Sequence, residues 1–288
     1  FTTQDPVRGE LMLRPDFTVP VVQMHMQHGA EPARYTYSGE VFRRQEDDAN
    51  RANEYLQVGY EIFERDAPHE ADAEVFALIS SVLRGLPVRA ATGDIGILMA
   101  AVEGLSTTER RKAALRRHIW RPRRFRALME RFSGRADVPA SRVALLAAED
   151  AFAEAGHAIG LRTRHEVEAR IAALREDEAA GPLSQGDVEL MEAILAVQET
   201  LPNAVEQLSD IAVDMPAIAD AVDGLAKRTR ALAARGVDVA QLSFEASYGR
   251  ASMEYYDGFV FGFYAEARAD LPPVASGVAR PHLVRSAT

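Results

Sequence analysis

Residues 34–64 read RYTYSGEVFRRQEDDANRANEYLQVGYEIFE, a sequence that predicts two β-strands joined by a charged loop. Successive residues of a strand point to opposite sides, so the second strand has two different faces. The apolar face, which we expect to lie in a core, carries Leu56, Val58, Tyr60 and Ile62. The polar face carries Tyr55, Gln57, Gly59, Glu61 and Phe63. Because this second face places a small residue between an amide and a carboxylate, the hairpin is predicted to form the floor of a site for a small polar ligand.

The composition of the chain limits the classes of function. The chain has 288 residues, of which 47% are hydrophobic, which suits one large domain or two moderate ones. Its net charge is -10, which argues against non-specific nucleic-acid binding because phosphate contacts need a positive surface. It contains no cysteine, which excludes disulfides and thiolate metal sites and fits a cytoplasmic protein. No apolar run is long enough for a membrane helix, and the histidines lack metal-binding spacings.

Strands and helices are segregated along the chain, which predicts an α+β fold with an antiparallel sheet. Strand patterns occur in the first part of the chain and return near its end, where 254–264 predicts a hairpin with its turn at Asp257-Gly258. The stretch 139–237 is rich in Ala, Leu and Glu and predicts about four or five short helices. We therefore expect a core made of 1–138 and 238–288, with a helical insert at 139–237 that serves as a scaffold.

Arginines are dense between Arg110 and Arg131, and two explanations of this run stay open. One is contact with RNA or another phosphate. The other is a pair of solvated helices whose arginines meet acidic groups of this chain or of a partner, and the negative net charge favours it. Trp120 lies inside the run and is expected to pack rather than to stack on a base.

Three segments resemble the histidyl-tRNA synthetases, and they occur in the order of that family. They are RPDFTVP at 14–20, GEVFRRQ at 39–45 together with EYLQVGYEIF at 54–63, and EYYDGFVF at 254–261. The short segment ASG at 275–277 is similar to the start of the glycine-rich motif that follows in the family. The combination is more specific than any single segment. It implies a class II aminoacyl-tRNA synthetase-like antiparallel sheet flanked by helices.

Departures from the synthetase pattern indicate a particular branch of that family. Gln45 stands where the synthetases carry an acidic residue, and Arg250 lies one residue further from the tyrosines than their substrate-contacting arginine, whose place Ala251 takes. No pattern of an anticodon-binding domain follows Gly277. The chain is also expected to lack an earlier N-terminal part of the fold, and a loop at Gly277–Val278.

A synthetase-like core without a tRNA-reading domain is similar to the regulatory subunits of short-form ATP phosphoribosyltransferase. That resemblance implies a non-catalytic subunit, required for the first step of L-histidine biosynthesis and implicated in feedback by histidine. It also implies a hetero-oligomer with the catalytic subunit and a self-dimer, with no cofactor and no metal. Two other functions stay open: a histidyl-tRNA synthetase core that activates histidine with ATP, and a tRNA-binding module built on the arginine run.

The same resemblance assigns a histidine pocket to Asp16, Thr18, Arg43, Gln57, Glu61, Arg250, Tyr255 and Tyr256. The chemistry of the ligand fits this set. A carboxylate from Asp16 or Glu61 suits the ammonium group, and the fork of Arg43 suits the carboxylate. Gln57 or a tyrosine hydroxyl can satisfy an imidazole nitrogen. Gln57 and Glu61 are roughly 13 Å apart along a strand, so they would contact opposite ends of the pocket. None of these residues is placed as a nucleophile or general base, so no catalytic residue is predicted.

Overall fold

The computed structural model describes residues 1–44, 52–153, 155–156, 160–250, 256, 258–268 and 270–279. The chain divides into two compact units, Phe1–Val82 and Leu83–Thr288. In the described part of the chain, no helix is both long and apolar enough to cross a membrane.

The first unit consists of two β-ribbons and two helices. Its elements are β1 (Thr2–Asp5), β2 (Gly9–Met12), α1 (Thr18–His28), β3 (Ala33–Phe42), β4 (Glu54–Phe63) and α2 (Pro68–Val82). The first ribbon pairs β1 with β2, and the second pairs β3 with β4, both antiparallel. The helix α1 ends at Gly29, which adopts a left-handed conformation at φ 59° that glycine tolerates without steric cost.

The hairpin predicted at 34–64 is confirmed. Its strands pair in continuous register from Ala33 opposite Phe63 to Phe42 opposite Glu54. Most of the predicted charged loop, including Gln45, lies outside the described residues.

The expectation that the apolar face of β4 lies in a core is wrong for two of its residues. Leu56 and Val58 are 64% and 72% exposed. The aromatic packing of α1 lies on the other face of the ribbon, where His25 stacks on Phe63 with ring centroids 3.8 Å apart. All five residues of the polar face are half-buried, whereas the apolar face exposes Leu56 and Val58.

The helix α2 is joined to the ribbon through Glu74. Arg34 of β3 donates two hydrogen bonds of 2.8 Å to the carboxylate of Glu74, and the hydroxyl of Tyr60 donates to the same carboxylate at 2.7 Å. A bidentate guanidinium–carboxylate contact is geometrically specific. It therefore fixes the position of the middle of α2 against the ribbon.

The second unit is a mixed sheet surrounded by helices. Its elements are β5 (Val88–Asp94), α3 (Ile95–Gly104), α4 (Glu109–His118), α5 (Pro122–Phe132), α6 (Ala140–Ala147), α7 (Arg164–Ala179), α8 (Gln185–Ala196), β6 (Gln198–Thr200), α9 (Leu201–Asp214), a 3-10 turn (Pro216–Ile218), α10 (Ala219–Ala234), β7 (Ser243–Glu245), β8 (Phe259–Ala265) and β9 (Ala275–Val278). The strand order is β6-β7-β5-β8-β9. All described neighbours are antiparallel except β5 and β7, which are parallel.

The core of this unit forms around β8 and α3. Phe259, Phe261 and Phe263 alternate along β8, and each is at most 3% exposed. Several apolar residues of α3 are fully buried as well. The helix begins at Asp94, whose Oδ1 accepts a hydrogen bond from the N–H of Gly96 at 2.9 Å, an ordinary N-terminal cap.

Two predictions in this unit are compared with the structure here. The second strand of the hairpin predicted at 254–264 forms β8, which pairs with β5 and β9, whereas residues 254, 255 and 257 of its first strand and turn lie outside the described residues. The stretch 139–237 is not helical throughout, since Gln198–Thr200 forms a strand that extends the sheet beside β7. Gly277 and Val278 are consecutive residues of β9, at the edge of the sheet.

The arginine run lies on α4 and α5, and some of its members have structural roles. Arg111 is buried and donates to Oδ1 of Asp177 at 2.6 Å. Arg116 forms an ion pair with Glu103 at 2.6 Å. These contacts favour the explanation in which the arginines meet acidic groups of the same chain.

Candidate functional site

The floor predicted on the hairpin is formed by odd-numbered side chains of β3 and β4. The strand register places Gln57 opposite Gly39 and Glu61 opposite Tyr35. Gln57 and Glu61 are half-buried on the face that also carries Phe63. The structure therefore brings an amide and a carboxylate to one surface, at the two ends that their spacing along β4 predicts.

Arg43 lies at the Gln57 end of this surface. Its Nε donates a hydrogen bond to the carbonyl of Pro15 at 2.6 Å, and its Nη2 donates to Oε1 of Gln57 at 3.3 Å. These two bonds orient an exposed guanidinium beside the amide. An arginine held in this way is suited to a ligand carboxylate, because its planar fork matches the two carboxylate oxygens.

Tyr37 occupies the space over Gly59, and sequence reasoning missed this residue. The two residues pair across the ribbon, and a Cβ added at Gly59 would collide with the tyrosine ring. The ring also stacks on Phe17 with centroids 4.7 Å apart. Glycine is thus needed here for the close approach of a neighbouring ring. The gap that the sequence suggested for a ligand holds a side chain of the protein itself.

The surroundings of the Tyr37 hydroxyl connect four of the predicted pocket residues. Burial raises the pKa of Tyr37, and the negative charge of Glu61 raises it further. Gln57 donates to the hydroxyl oxygen at 3.5 Å, and the charges of Asp16 and Arg43 also act on it. Two carboxylates and one guanidinium therefore surround the Tyr37 phenol, so this surface carries charges of both signs.

Asp16 and Thr18 form the entry to α1. The Oδ1 atom of Asp16 accepts a hydrogen bond from the backbone N–H of Thr18 at 3.0 Å, and both residues are half-buried. The contact ties the carboxylate to the first turn of the helix. It therefore presents a fixed negative group on the side of the ribbon that carries Tyr37.

Arg250 belongs to the second unit, where it is 5% exposed. Its Nε donates to the carbonyl of Ile119 at 2.8 Å, and its guanidinium lies over the ring of Phe125, 4.9 Å from the centroid. Burial lowers the pKa of Arg250 to about 10, helped by the positive charge of Arg126. Its Nη2 has no hydrogen-bond partner among the residues that the structure describes.

Tyr256 is a packing residue of the second unit. It is 2% exposed, and its ring meets Trp120 edge-on with centroids 4.8 Å apart. Its hydroxyl donates to the carbonyl of Tyr248 at 3.4 Å. Burial raises the pKa of Tyr256, and the charge of Asp94 adds to this effect. Trp120 packs, as the sequence predicts, and Tyr255 lies outside the described residues.

The predicted pocket therefore falls into two sets. Asp16, Thr18, Arg43, Gln57 and Glu61 gather in the first unit, while Arg250 and Tyr256 lie in the second. Within the described ranges, no group of His, Asp and Glu side chains is arranged to hold a metal ion. Tyr37 could have been found from the sequence. Tyr35 and Tyr37 are two positions apart on β3 and so share a face, as Gly59 and Glu61 do on β4.

Comparisons with known proteins agree with the predicted fold class. The family model described as Histidyl-tRNA synthetase matches residues 1–277. An ATP phosphoribosyltransferase regulatory subunit of Agrobacterium fabrum is 30% identical over 91% of this chain and 74% of that relative. The chain belongs to the histidyl-tRNA synthetase family, in the branch of the ATP phosphoribosyltransferase regulatory subunits.

Other members of this family extend the comparison. A regulatory subunit of the same description from Brucella canis is 27% identical over 91% of this chain and 73% of that relative. A structure from Bacillus halodurans, described as an ATP phosphoribosyltransferase regulatory subunit/histidyl-tRNA synthetase, has a TM-score of 0.62 at 22% identity. The structural match covers 93% of this chain and 57% of the Bacillus halodurans chain.

A histidyl-tRNA synthetase of Nostoc sp. has a TM-score of 0.58 at 13% identity, over 96% of this chain and 55% of the synthetase. The two structural likenesses establish a class II synthetase-like fold. The chain thus spans about three quarters of its curated relatives and little more than half of these two solved chains.

Proposed function

We propose that this chain is a non-catalytic regulatory subunit of short-form ATP phosphoribosyltransferase, the enzyme of the first step of L-histidine biosynthesis. The observation that carries the proposal is its similarity to the regulatory subunit of Agrobacterium fabrum, at 30% identity over 91% of the chain. In this role the chain is a cytoplasmic protein that forms a hetero-oligomer with the catalytic subunit and a dimer with itself.

The polar surface of the hairpin is proposed as a histidine sensor. Arg43 is oriented for the carboxylate of the amino acid, and Glu61 or Asp16 for its ammonium group. Gln57 supplies an amide that can donate to or accept from an imidazole nitrogen. The family resemblance also assigns roles in histidine binding to Arg250, Tyr255 and Tyr256. Feedback requires that histidine binds one state of the assembly more tightly than another.

Reconstitution tests the regulatory role. The chain would be mixed with a short-form catalytic subunit, and the rate of phosphoribosyl transfer to ATP would be measured with and without it. We expect a clear rise in rate and co-elution of the two proteins. Histidine-dependent ATP–pyrophosphate exchange by this chain alone would instead identify a synthetase that activates histidine, and would overturn the proposal of a non-catalytic subunit.

The sensor is tested with variants of the two faces of β4. We expect Gln57→Ala and Glu61→Ala to raise the histidine concentration needed for half-inhibition by about 10-fold or more, as for the loss of one hydrogen bond to a charged group. Glu54→Ala is the matched control, because it removes a carboxylate from the exposed face of the same strand. If all three variants respond to histidine as the unmodified chain does, the hairpin is not the sensor. This outcome concerns the sensor alone, because the complexes can still transfer the phosphoribosyl group at the normal rate.

A further inference from the structure

Charged side chains from four helices of the second unit meet in one place. They are Arg111 of α4, Arg131 of α5, Arg142 of α6 and Asp177 of α7, and we call them the arginine cluster. Three cations thus share one carboxylate, on a chain whose net charge is -10. The cluster includes no residue of the hairpin surface and none of the residues that contact Arg250.

The carboxylate of the cluster is already engaged by two of the arginines. Arg111 donates from Nε to Oδ1 of Asp177 at 2.6 Å, and its two Nη atoms donate to the carbonyls of Asp177 and Gly181. Arg142 donates from Nη2 to the other carboxylate oxygen, Oδ2, at 3.2 Å, and its side chain is 21% exposed. Both oxygens of Asp177 therefore have a partner before Arg131 is counted.

Arg131 is the cation that the cluster leaves uncompensated. Its guanidinium lies over the ring of Phe132, 4.6 Å from the centroid, and forms no hydrogen bond or ion pair with another residue in the described part of the chain. Solvent reaches the side chain, but the atoms packed around it lower its pKa. The charges of Arg142 and Arg111 lower this pKa further, whereas that of Asp177 raises it. Burial and repulsion together outweigh the attraction of the single carboxylate.

This arrangement suits a phosphoryl group better than a carboxylate. A carboxylate has two oxygens in one plane and matches the fork of a single guanidinium. A phosphoryl group has three acceptor oxygens and close to two negative charges at neutral pH. It can therefore accept hydrogen bonds from guanidiniums on two helices and balance the excess of cations over carboxylate in the cluster.

We propose that Arg131 and Arg142 bind the phosphoryl group of a small molecule at the surface of the arginine cluster. Arg131 supplies the fork on α5. Arg142 uses one N–H group for Asp177 among the described contacts and has others to donate, since a guanidinium carries five. Arg111 stays bonded to Asp177 and holds the helices together. The site is distinct from the histidine pocket and does not depend on the role proposed for the chain.

Calorimetric titration of the full chain at constant ionic strength tests the site. The probes are inorganic phosphate and ATP, and their counterparts without a phosphoryl group are acetate and adenosine. We expect phosphate or ATP to bind, and acetate and adenosine not to bind. Arg131→Ala should weaken this binding about 10-fold or more, as for the loss of one hydrogen bond to a charged group. Equal affinity for phosphate and ATP would identify free phosphate as the ligand, and tighter binding of ATP a phosphorylated organic molecule.

Two further variants separate binding from structure. Arg123→Ala is the matched control, since it removes the same charge from the exposed surface of α5 eight positions earlier, about 12 Å along the helix. Asp177→Asn removes the negative charge beside Arg131, so we expect it to tighten the binding of phosphate or ATP even though it destabilises the fold. A purely structural cluster does not predict tighter binding.

Three results would overturn the proposal. The first is binding that Arg131→Ala leaves unchanged, because the ligand then lies elsewhere on the chain. The second is an equal loss with Arg131→Ala and Arg123→Ala, which would show attraction by net charge alone. The third is binding of neither phosphate nor ATP. If the chain then retains a short RNA, the arginines serve a nucleic-acid contact instead.

Discussion

Arg111 provides a direct test of the structural explanation of the arginine run. Its guanidinium is 6% exposed and donates to Oδ1 and the carbonyl of Asp177, both at 2.6 Å, and to the carbonyl of Gly181 at 2.7 Å. Arg111→Met removes these bonds. Of the described hydrogen bonds to the buried carboxylate of Asp177, only the longer one from Arg142, at 3.2 Å, is then left.

The expected cost follows from this geometry. Breaking a buried ion pair by removing one partner costs about 3–5 kcal/mol, because the remaining charge stays buried. This is a large part of the roughly 5–15 kcal/mol by which a native domain is stable. The double variant Arg111→Met/Asp177→Leu should recover part of the loss, since no unpaired charge is left in the interior.

Urea denaturation of the full chain measures the effect. The fluorescence of Trp120, the single tryptophan of the chain, reports on the same unit. Arg116→Met is the control on the same helix, because its ion pair with Glu103 is solvent-exposed, at 43% and 44%, and should contribute no more than about 1 kcal/mol. If Arg111→Met destabilises the chain no more than Arg116→Met does, the buried pair is not structural and the phosphate-binding explanation of the run regains support.

Two further outcomes follow from the described contacts. Burial alone would raise the pKa of Asp177, but the hydrogen bond and charge of Arg111 outweigh it and lower that pKa below its ordinary value. The stabilisation from Asp177 is therefore complete above about pH 4 and disappears as the pH falls through the lowered pKa. Asp177→Asn should flatten the acid dependence of the unfolding free energy, and an unchanged dependence would contradict the pairing. Gly59→Ala should cost about 1–3 kcal/mol of unfolding free energy by collision with Tyr37. The cost should be smaller in a Tyr37→Ala background, and equal costs in both backgrounds would refute the contact.

Local patterns in the sequence were sufficient for the hairpin. Alternation along a strand is a property of the backbone, so the residues that share the polar face of β4 could be assigned without a structure. The family resemblance rested on such local segments, and the comparison with relatives agrees with it.

Which face of β4 is covered was decided by packing. The sequence favoured burial of the face with Leu56 and Val58, because apolar area drives folding. The aromatic side chains beside α1 lie on the opposite face instead, as the stacking of His25 on Phe63 shows. A strand pattern identifies two faces, but it does not identify the element that covers each.

The remaining features of the candidate sites depend on residues that are distant in sequence. Tyr37 fills the space over Gly59 only because the register of the hairpin pairs them. Arg250 packs on Phe125 and bonds to Ile119, more than a hundred positions earlier, which the spacing of the tyrosine motif cannot indicate. The sequence by itself determined the hairpin, the residues that share each face of its second strand, and the family. The tertiary structure decided which charges are buried and paired, because burial and pairing depend on contacts between segments that are distant in sequence. A local sequence pattern does not indicate such contacts.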